Sequence, residues 1–152
     1  MLKQIKGEGF KILELTLHIG LGTFKKVEGT DIRSHKMHSE YFFIDPLQLE
    51  TIKNLRKSGG KIIAIGTTVV RVLETIAKEN FTRNSGFTDI FIYRPYDFRL
   101  VDGILTNFHL PKSTLMMLVS AFCGKDVLLR AYNEAILKKY KFFSYGDCML
   151  IL

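Results

Sequence analysis

A helix, a short strand and a second helix follow one another between residues 45 and 78, and this succession constrains the fold of the chain most. Asp45 followed by Pro46 predicts a helix start, because aspartate accepts hydrogen bonds from free amides and proline is tolerated in the first turn. Two glycines at 59–60 end that helix, and the aliphatic run 61–65 predicts a strand. The apolar residues that follow return to helical spacing. The segment is therefore typical of an α/β fold.

Other apolar runs predict further strands and helices. Strands are expected at 10–19, 41–44, 89–93, 104–108 and 148–152. Turn residues join the third and fourth of these strands, which could therefore form a hairpin. Helices are expected at 69–78, 115–121 and 126–140, and Glu74 and Lys78 should pair on the outer face of the first. The predicted fold class is α/β, with a mixed sheet flanked by helices.

The composition is that of a basic globular protein. The 152 residues fit one domain, and 47% of them are hydrophobic. The longest apolar run has about half of the ~20 residues that a membrane span needs, and no signal peptide is apparent, so we expect a soluble cytoplasmic protein. The formal charge of +7 favours a polyanionic partner such as RNA. Cys123 and Cys148 lie in apolar patterns and are expected to be buried, without a disulfide.

Polar side chains concentrate where predicted strands run into predicted helices. Thr67 and Thr68 open a helix whose free amides could hold a carboxylate or phosphate, or they could simply cap it. The connection 107–113 carries an amide, an imidazole, an ammonium group and a hydroxyl, on Asn107, His109, Lys112 and Ser113. Binding residues concentrate in loops held by a rigid scaffold, so a functional role is favoured here over packing.

The N-terminal third contains weaker candidates. Gly20 and Gly22 could let a ligand approach the backbone, although an ordinary tight turn is the simpler interpretation. His35 and His38 raise the question of a metal site, but no confident helix brings them together and no paired cysteines accompany them, so none is predicted. His38 and Glu40 could form an acid/base pair or a polar rim on an aromatic strand, and the sequence does not separate these alternatives.

Six blocks carry a more specific signal. In order along the chain they read LHIGLGTF, HKMHSEYFFID, GTTVVRVLE, TDIFIY, LTNFHLPKSTLMMLVSAF and KYKFFSYGDCMLI. Together they resemble the S-adenosylmethionine:tRNA ribosyltransferase-isomerases of queuosine biosynthesis. Several ordered, ungapped blocks are far more specific than any one of them.

The resemblance implies a domain organisation. Members of that family are about twice as long as this chain and combine a large α/β domain with a small β-barrel. Residues 1–152 would then be the C-terminal portion of the large catalytic domain, and the N-terminal half and the small β-barrel would be absent. We therefore expect the chain alone to be inactive, and we expect surfaces left uncovered to drive self-association.

The resemblance also implies an activity. The ribosyl moiety of S-adenosylmethionine would be transferred to 7-aminomethyl-7-deazaguanine at the tRNA wobble position and isomerised to epoxyqueuosine, releasing adenine and methionine. The partners would be that tRNA and S-adenosylmethionine, which is a substrate, so neither cofactor nor metal is expected.

Roles for particular residues follow from the chemistry of this reaction. A base must remove a proton beside the sulfonium, so the acid/base candidates are His18, His38 and His109. Glu40 and Asp147 could orient them or face the sulfonium. Thr67, Thr68 and Arg71 could hold the methionine carboxylate, and Lys112 could meet tRNA phosphate. The remaining substrate-binding candidates are Gly20, Gly22, Asn107 and Ser113.

Two functions of other classes compete with this one. A non-catalytic RNA-binding module would bind many RNAs with strong salt dependence and without regard to S-adenosylmethionine. An S-adenosylmethionine-dependent methyltransferase is less well supported, because no glycine-rich loop lies between a first strand and a helix. Free adenine as a product, in place of S-adenosylhomocysteine, would distinguish ribosyl from methyl transfer.

Overall fold

The computed structural model describes residues 2–20 and 32–152. Within those ranges the helices are α1 (Leu2–Gly7), α2 (Pro46–Lys57), α3 (Thr67–Lys78), α4 (Thr114–Cys123) and α5 (Lys125–Leu137). The strands are β1 (Thr16–Leu17), β2 (Glu40–Phe43), β3 (Ile63–Ile65), β4 (Ser85–Thr88), β5 (Gly103–Asn107) and β6 (Cys148–Ile151), and Ile32–Ser34 forms a 3₁₀ turn. No helix in the described ranges is long and apolar enough to cross a membrane.

The described strands form two three-stranded sheets. The antiparallel sheet has the order β1-β2-β4, and the mixed sheet has the order β3-β5-β6. In the mixed sheet β3 runs parallel to β5, whereas β6 runs antiparallel to it. The predicted α/β class is therefore confirmed, with the strands divided between two small sheets.

Local signals set the starts of α2 and α3. The Asp45 carboxylate accepts hydrogen bonds from the Leu47 and Gln48 amides at 2.9 and 3.3 Å, and Pro46 occupies the first turn. Before α3, Gly66 adopts φ 98°, a conformation that side chains disfavour, and its amide donates to the Leu105 carbonyl at 2.8 Å. This glycine therefore joins β3 to α3 while it stays bonded to β5.

Helix α3 lies between the two sheets. Its Val70 and Leu73 belong to the larger core cluster, which also contains Ala64 of β3 and Ile104 of β5. Its Ile76, by contrast, packs in a smaller cluster with residues of the antiparallel sheet. Both faces of α3 are consequently buried, so the helix fixes the position of each sheet.

One strand prediction was wrong and another was confirmed only in part. Residues 89–93 pair with no described strand, because β4 ends at Thr88 and the chain then crosses the core, where Ile92 is buried. No hairpin forms, since the partners of β5 are β3 and β6. The strand predicted at 10–19 is reduced to two residues, which pair with β2. The apolar pattern of 89–93 thus reflected partial burial of extended chain, whereas that of 10–19 includes exposed residues such as Phe10 and Ile19.

The predicted Glu74–Lys78 pair was also wrong. Glu74 is fully buried, and its carboxylate accepts from the amides of Arg99, Leu100 and Val101 at 2.9 to 3.1 Å. The Tyr96 hydroxyl donates to it at 3.2 Å. The returning loop 96–101 therefore covers a helix face that the sequence pattern assigned to solvent.

The mixed sheet has one face without a cover in the described part of the chain. Ile63, Ile65 and Leu150 lie on this open face with 42%, 59% and 58% of their surfaces exposed. Cys148 is exposed on the edge strand β6, contrary to the expectation that it is buried, whereas Cys123 is half-buried; both thiols are free. The other side of the sheet packs on α3.

Candidate functional site

Three connections meet at one edge of the mixed sheet. Because β3 and β5 are parallel, with Ile65 opposite Leu105, their carboxyl ends lie at the same edge. Strand β6 begins there, since Cys148 pairs with Asn107. The segments 66–68, 108–113 and 141–147 therefore converge, at the place where open α/β sheets bind ligands. We call this region the edge site.

Thr67 and Thr68 form the first turn of α3 at this edge. Thr67 is buried and Thr68 is half-buried. Gly66, the capping residue, has no side chain that could bond to the first amides of the helix. By contrast, the buried Ser113 caps α4, because its hydroxyl accepts from the Met116 amide at 3.1 Å. The start of α3 is thus the better place for an anion.

His109 follows β5 and is held from two sides. Its Nε2 lies 2.9 Å from the hydroxyl of Thr106, which is buried. Its amide donates to the Tyr132 hydroxyl at 2.7 Å, and that hydroxyl donates back to the His109 carbonyl at 3.4 Å. Burial lowers the pKa of His109 to about 4. The ring is therefore neutral at pH 7, and its free lone pair can accept a proton, although burial makes it a weaker base than an exposed histidine.

Asn107 and Asp147 organise the loop before β6. The Asn107 side-chain amide donates to the carbonyls of Gly146 and Asp147 at 3.3 and 3.1 Å. The Asp147 carboxylate accepts from the Lys141 amide at 2.7 Å. Both residues thus lie at the edge site, where these contacts hold the loop.

Lys112 is exposed at the same edge. Its backbone adopts φ 60°, which is uncommon for a residue with a side chain, immediately before the capping Ser113. The tight connection between β5 and α4 therefore presents an ammonium group to solvent three residues after His109.

Glu40 and Arg71 form a separate, buried group. Arg71 Nη1 donates to Glu40 Oε2 at 2.6 Å, and both side chains are at most 2% exposed. The Gly20 amide donates to the other Glu40 oxygen at 3.1 Å, and Arg71 Nε donates to the Ile90 carbonyl at 3.3 Å. Among the described residues, Nη2 of Arg71 has no hydrogen-bond partner. This pair joins β2 to α3.

The other N-terminal candidates are not brought to the edge site by any contact in the described residues. His18 is exposed, its amide donates to the Tyr41 carbonyl at 2.8 Å, and its ring packs edge-on against the Tyr41 ring at 5.5 Å. His38 is exposed, two residues before Glu40. Gly22 lies outside the described residues. Residues 2–20 and 32–152 contain no group of three or more His, Cys, Asp or Glu that could hold a metal ion.

Two residues that support His109 were not identified from the sequence. Thr106 occurs in an apolar strand, and Tyr132 occupies a core position of α5, 23 residues from His109. Burial raises the pKa of Tyr132, so its hydroxyl keeps its proton. The periodicity of α5 could show that Tyr132 faces the core, but not that its hydroxyl reaches the β5–α4 connection.

Comparisons with known proteins identify the family of the chain. The family described as "Queuosine biosynthesis protein" matches residues 1–151. The S-adenosylmethionine:tRNA ribosyltransferase-isomerase of Sulfurihydrogenibium sp. is 58% identical over the whole chain, and that of Halothermothrix orenii is 54% identical. This chain spans 45% of the length of each.

A solved structure extends the comparison to the fold. The crystal structure of S-adenosylmethionine tRNA ribosyltransferase from Thermotoga maritima matches 99% of this chain with a TM-score of 0.79 and 40% identity, over 48% of its own length. The resemblance seen in the six blocks of sequence is confirmed, and the chain belongs to the queuosine biosynthesis protein family.

Proposed function

We propose that this chain takes part in transfer and isomerisation of the ribosyl group of S-adenosylmethionine onto 7-aminomethyl-7-deazaguanine at the tRNA wobble position. The products would be epoxyqueuosine in tRNA, adenine and methionine. One observation carries the proposal: a chain of this family brings a neutral histidine, a helix start without a side-chain cap and an exposed lysine to one sheet edge. The family membership favours ribosyl transfer over methyl transfer and over RNA binding alone.

His109 is the base that this site offers. The sulfonium of S-adenosylmethionine acidifies the adjacent ribose carbon, and a neutral imidazole can take the proton released there. When Nε2–H donates to Thr106, Nδ1 carries the free lone pair. The contacts with Thr106 and Tyr132 would then hold the ring in position. Proton removal from the sugar and departure of adenine need neither a metal nor a further cofactor.

The start of α3 would hold the methionine carboxylate. The amides of Thr67 and Thr68 are among those that lack partners within a helix, and the positive end of the helix dipole favours an anion there. Arg71 follows Thr67 by four residues and so lies on the same face of α3. Its buried guanidinium could reach a carboxylate only through Nη2, because Nη1 bonds to Glu40 and Nε bonds to Ile90. Glu40 would therefore position Arg71.

The tRNA would approach from the exposed side of the edge site. The chain carries 22 lysines and arginines against 15 acidic residues, and the exposed Lys112 lies in the same connection as the proposed base. A basic surface gains affinity for RNA because counterions are released from the phosphates. This partner also favours a cytoplasmic location, where tRNA is modified.

We further propose that the chain forms the C-terminal portion of the large α/β domain of such an enzyme. The open face supports this, since Ile63, Ile65 and Leu150 leave apolar surface uncovered and the relatives are more than twice as long. Sheets with parallel strands are usually covered on both faces. The part of the relatives that this chain does not span would supply the cover.

In the experiment, this chain is co-expressed with the part of the Sulfurihydrogenibium relative that this chain does not span. We call the resulting complex the complemented enzyme. S-adenosylmethionine and precursor tRNA are added, and free adenine and S-adenosylhomocysteine are separated by chromatography. We expect adenine in amounts equal to the ribosylated tRNA, and none from the 152-residue chain alone. S-adenosylhomocysteine in place of adenine would assign methyl transfer. If neither product forms while RNA still binds, the chain is an RNA-binding module without catalytic activity.

A further inference from the structure

The 138–147 loop, which precedes β6, exposes an aromatic side chain that buries no surface in the fold. Tyr145 is fully exposed, and its backbone adopts φ 62°, which is unfavourable for a residue with a side chain. Phe143, two residues earlier, is also exposed and adopts φ 68°. An exposed tyrosine in a strained backbone costs folding free energy, so the loop is better suited to contact another molecule than to stabilise the fold.

The loop is nevertheless held firmly. Asp147 bonds to Lys141 twice, through its carboxylate and through its amide, which donates to the Lys141 carbonyl at 2.7 Å. The Gly146 amide donates to the Phe143 carbonyl at 3.1 Å, and a side chain at Gly146 would collide with the Lys141 carbonyl. These contacts hold the loop backbone at Tyr145, so binding would avoid the entropy loss that ordering a free loop brings.

The loop is also fixed to the edge site. Asn107 donates to the carbonyls of Gly146 and Asp147, and the Phe143 amide donates to the Phe108 carbonyl at 3.2 Å. The Phe142 ring stacks on the Phe108 ring at 4.8 Å. These contacts place the loop directly beside the residue that precedes His109.

The charge around Tyr145 is positive. Residues 138–147 contain three lysines and one carboxylate, that of Asp147, which accepts from the loop backbone. Lys138 pairs with Glu134 at 3.0 Å, whereas Lys139 and Lys141 are exposed and form no ion pair within the described ranges. An exposed ring flanked by free ammonium groups matches single-stranded nucleic acid, in which bases stack on aromatic rings and phosphates meet lysines.

We propose that the 138–147 loop is an RNA contact in which Tyr145 stacks on an unpaired base of the tRNA anticodon loop, while Lys139 and Lys141 contact the flanking phosphates. The inference rests on the proposed function, because it takes the RNA to be the tRNA whose wobble base reacts at the edge site. A base stacked on this loop, which is bonded to Asn107 and Phe108, would hold the neighbouring nucleotides near the edge site. Tyr145 is thus a substrate-positioning residue.

The test measures binding of a fluorescent anticodon stem-loop RNA, and of a fully paired RNA of equal length, to the complemented enzyme. Tyr145→Ala should weaken binding of the stem-loop by roughly ten- to a hundredfold, the loss expected for one stacked base, and leave the paired RNA unchanged. Tyr145→Phe keeps the ring and should bind within about twofold of the unvaried enzyme. Phe10→Ala, at an exposed aromatic outside the loop, is the matched control and should have no effect.

Folding is checked with Tyr145→Gly. Glycine accepts the positive φ at this position, so this variant should melt no lower than the unvaried enzyme while it binds the stem-loop as weakly as Tyr145→Ala. The double variant Lys139→Gln with Lys141→Gln should bind both RNAs more weakly. Its affinity should also depend less on salt: the slope of log affinity against log salt concentration should fall by about 0.7 per lost contact with single-stranded RNA. Lys78→Gln, at an exposed lysine of α3, should change neither.

Normal stem-loop binding by Tyr145→Ala would overturn the inference, and so would an equal loss for the two RNAs. Adenine release by the unvaried complemented enzyme tests the proposed function separately. If adenine is released while Tyr145→Ala binds normally, only the RNA contact is wrong. If Tyr145→Ala binds weakly and the unvaried enzyme releases no adenine, the contact stands and only ribosyl transfer is wrong.

Discussion

The buried pair Glu40–Arg71 and the edge site around His109 contain similar kinds of side chain but differ in what those side chains contact. Glu40 and Arg71 are at most 2% exposed and bond chiefly to each other and to backbone. At the edge site, His109 is partly exposed and Lys112 is open to solvent. The difference teaches that residue type alone does not identify reacting groups. A charged pair whose members neutralise each other in the core chiefly supports the fold, whereas proton transfer needs groups that a substrate can reach.

The largest expected effect comes from breaking the buried pair. Glu40→Gln leaves the Arg71 guanidinium charged and without its counterion in the core, which should lower the free energy of unfolding by about 3 to 5 kcal/mol. Urea denaturation measures this loss. The matched control is Glu134→Gln, which removes a surface carboxylate paired with Lys138 and should cost less than about 1 kcal/mol. Equal losses in the two variants would contradict the distinction between the regions.

Glu74 is a second buried carboxylate, which belongs neither to the Glu40–Arg71 pair nor to the edge site, and it tests whether buried carboxylates in general support the fold. Glu74→Gln places an amide NH₂ group opposite some of the donors that now bond to the carboxylate, so we expect a loss of about 2 to 3 kcal/mol in the free energy of unfolding. Glu50→Gln, in an exposed pair with Lys53, is the control. If Glu74→Gln and the control lose the same free energy of unfolding, burial of a carboxylate does not show that it supports the fold of this protein.

The lowered pKa of His109 should make the stability of the protein depend on pH. In the unfolded chain a histidine gains its proton below pH ~6.5, whereas folded His109 stays neutral down to pH about 4. Between these values the unfolded state binds more protons, so stability falls as pH falls. Comparison with His109→Gln should isolate a difference on the order of 2 kcal/mol across this window. An NMR titration that gives His109 a pKa near 6.5 would refute it.

The smallest expected effect concerns the open face. The chain alone should self-associate through Ile65 and Leu150, because apolar surface left uncovered recruits partners. Ile65→Lys with Leu150→Lys should lower the mass measured by light scattering at high concentration, whereas Leu137→Lys, at an exposed leucine of α5, should not. The complemented enzyme should not show this association. A monomeric unvaried chain at every concentration would contradict the prediction.

The parts of the fold that depend on neighbouring residues could be predicted from the sequence. Asp45 caps its helix as expected, because a cap involves only the next few amides. The run 89–93 was wrongly predicted as a strand because strand pairing depends on distant partners. No residue near Thr88 indicates that β4 ends there. Glu74 shows the same limit, since the loop that buries it lies 22 to 27 residues further along the chain.

Two of the connections that form the edge site were singled out from the sequence for a physical reason. Thr67 and His109 were each predicted to lie where a strand runs into a helix, which is where open α/β sheets bind ligands. That the two connections share one edge depends on the parallel pairing of β3 with β5, which the sequence did not show. The separation of the candidates into two groups could not be predicted, because the sequence carries no direct measure of burial. Arg71 illustrates this limit: it lies one helical turn from Thr67, yet it bonds to Glu40 in the core.

The most direct test of the central claim, that the edge site performs the reaction, is adenine release by the His109→Ala variant of the complemented enzyme, measured together with its melting temperature. If His109 acts as the base, turnover should fall at least about a hundredfold while the melting temperature stays close to that of the unvaried enzyme. Normal turnover would remove His109 from the mechanism. A variant that loses activity only because it melts, at a cost of roughly 1 to 3 kcal/mol for its lost hydrogen bonds, would assign His109 to structure and contradict the account.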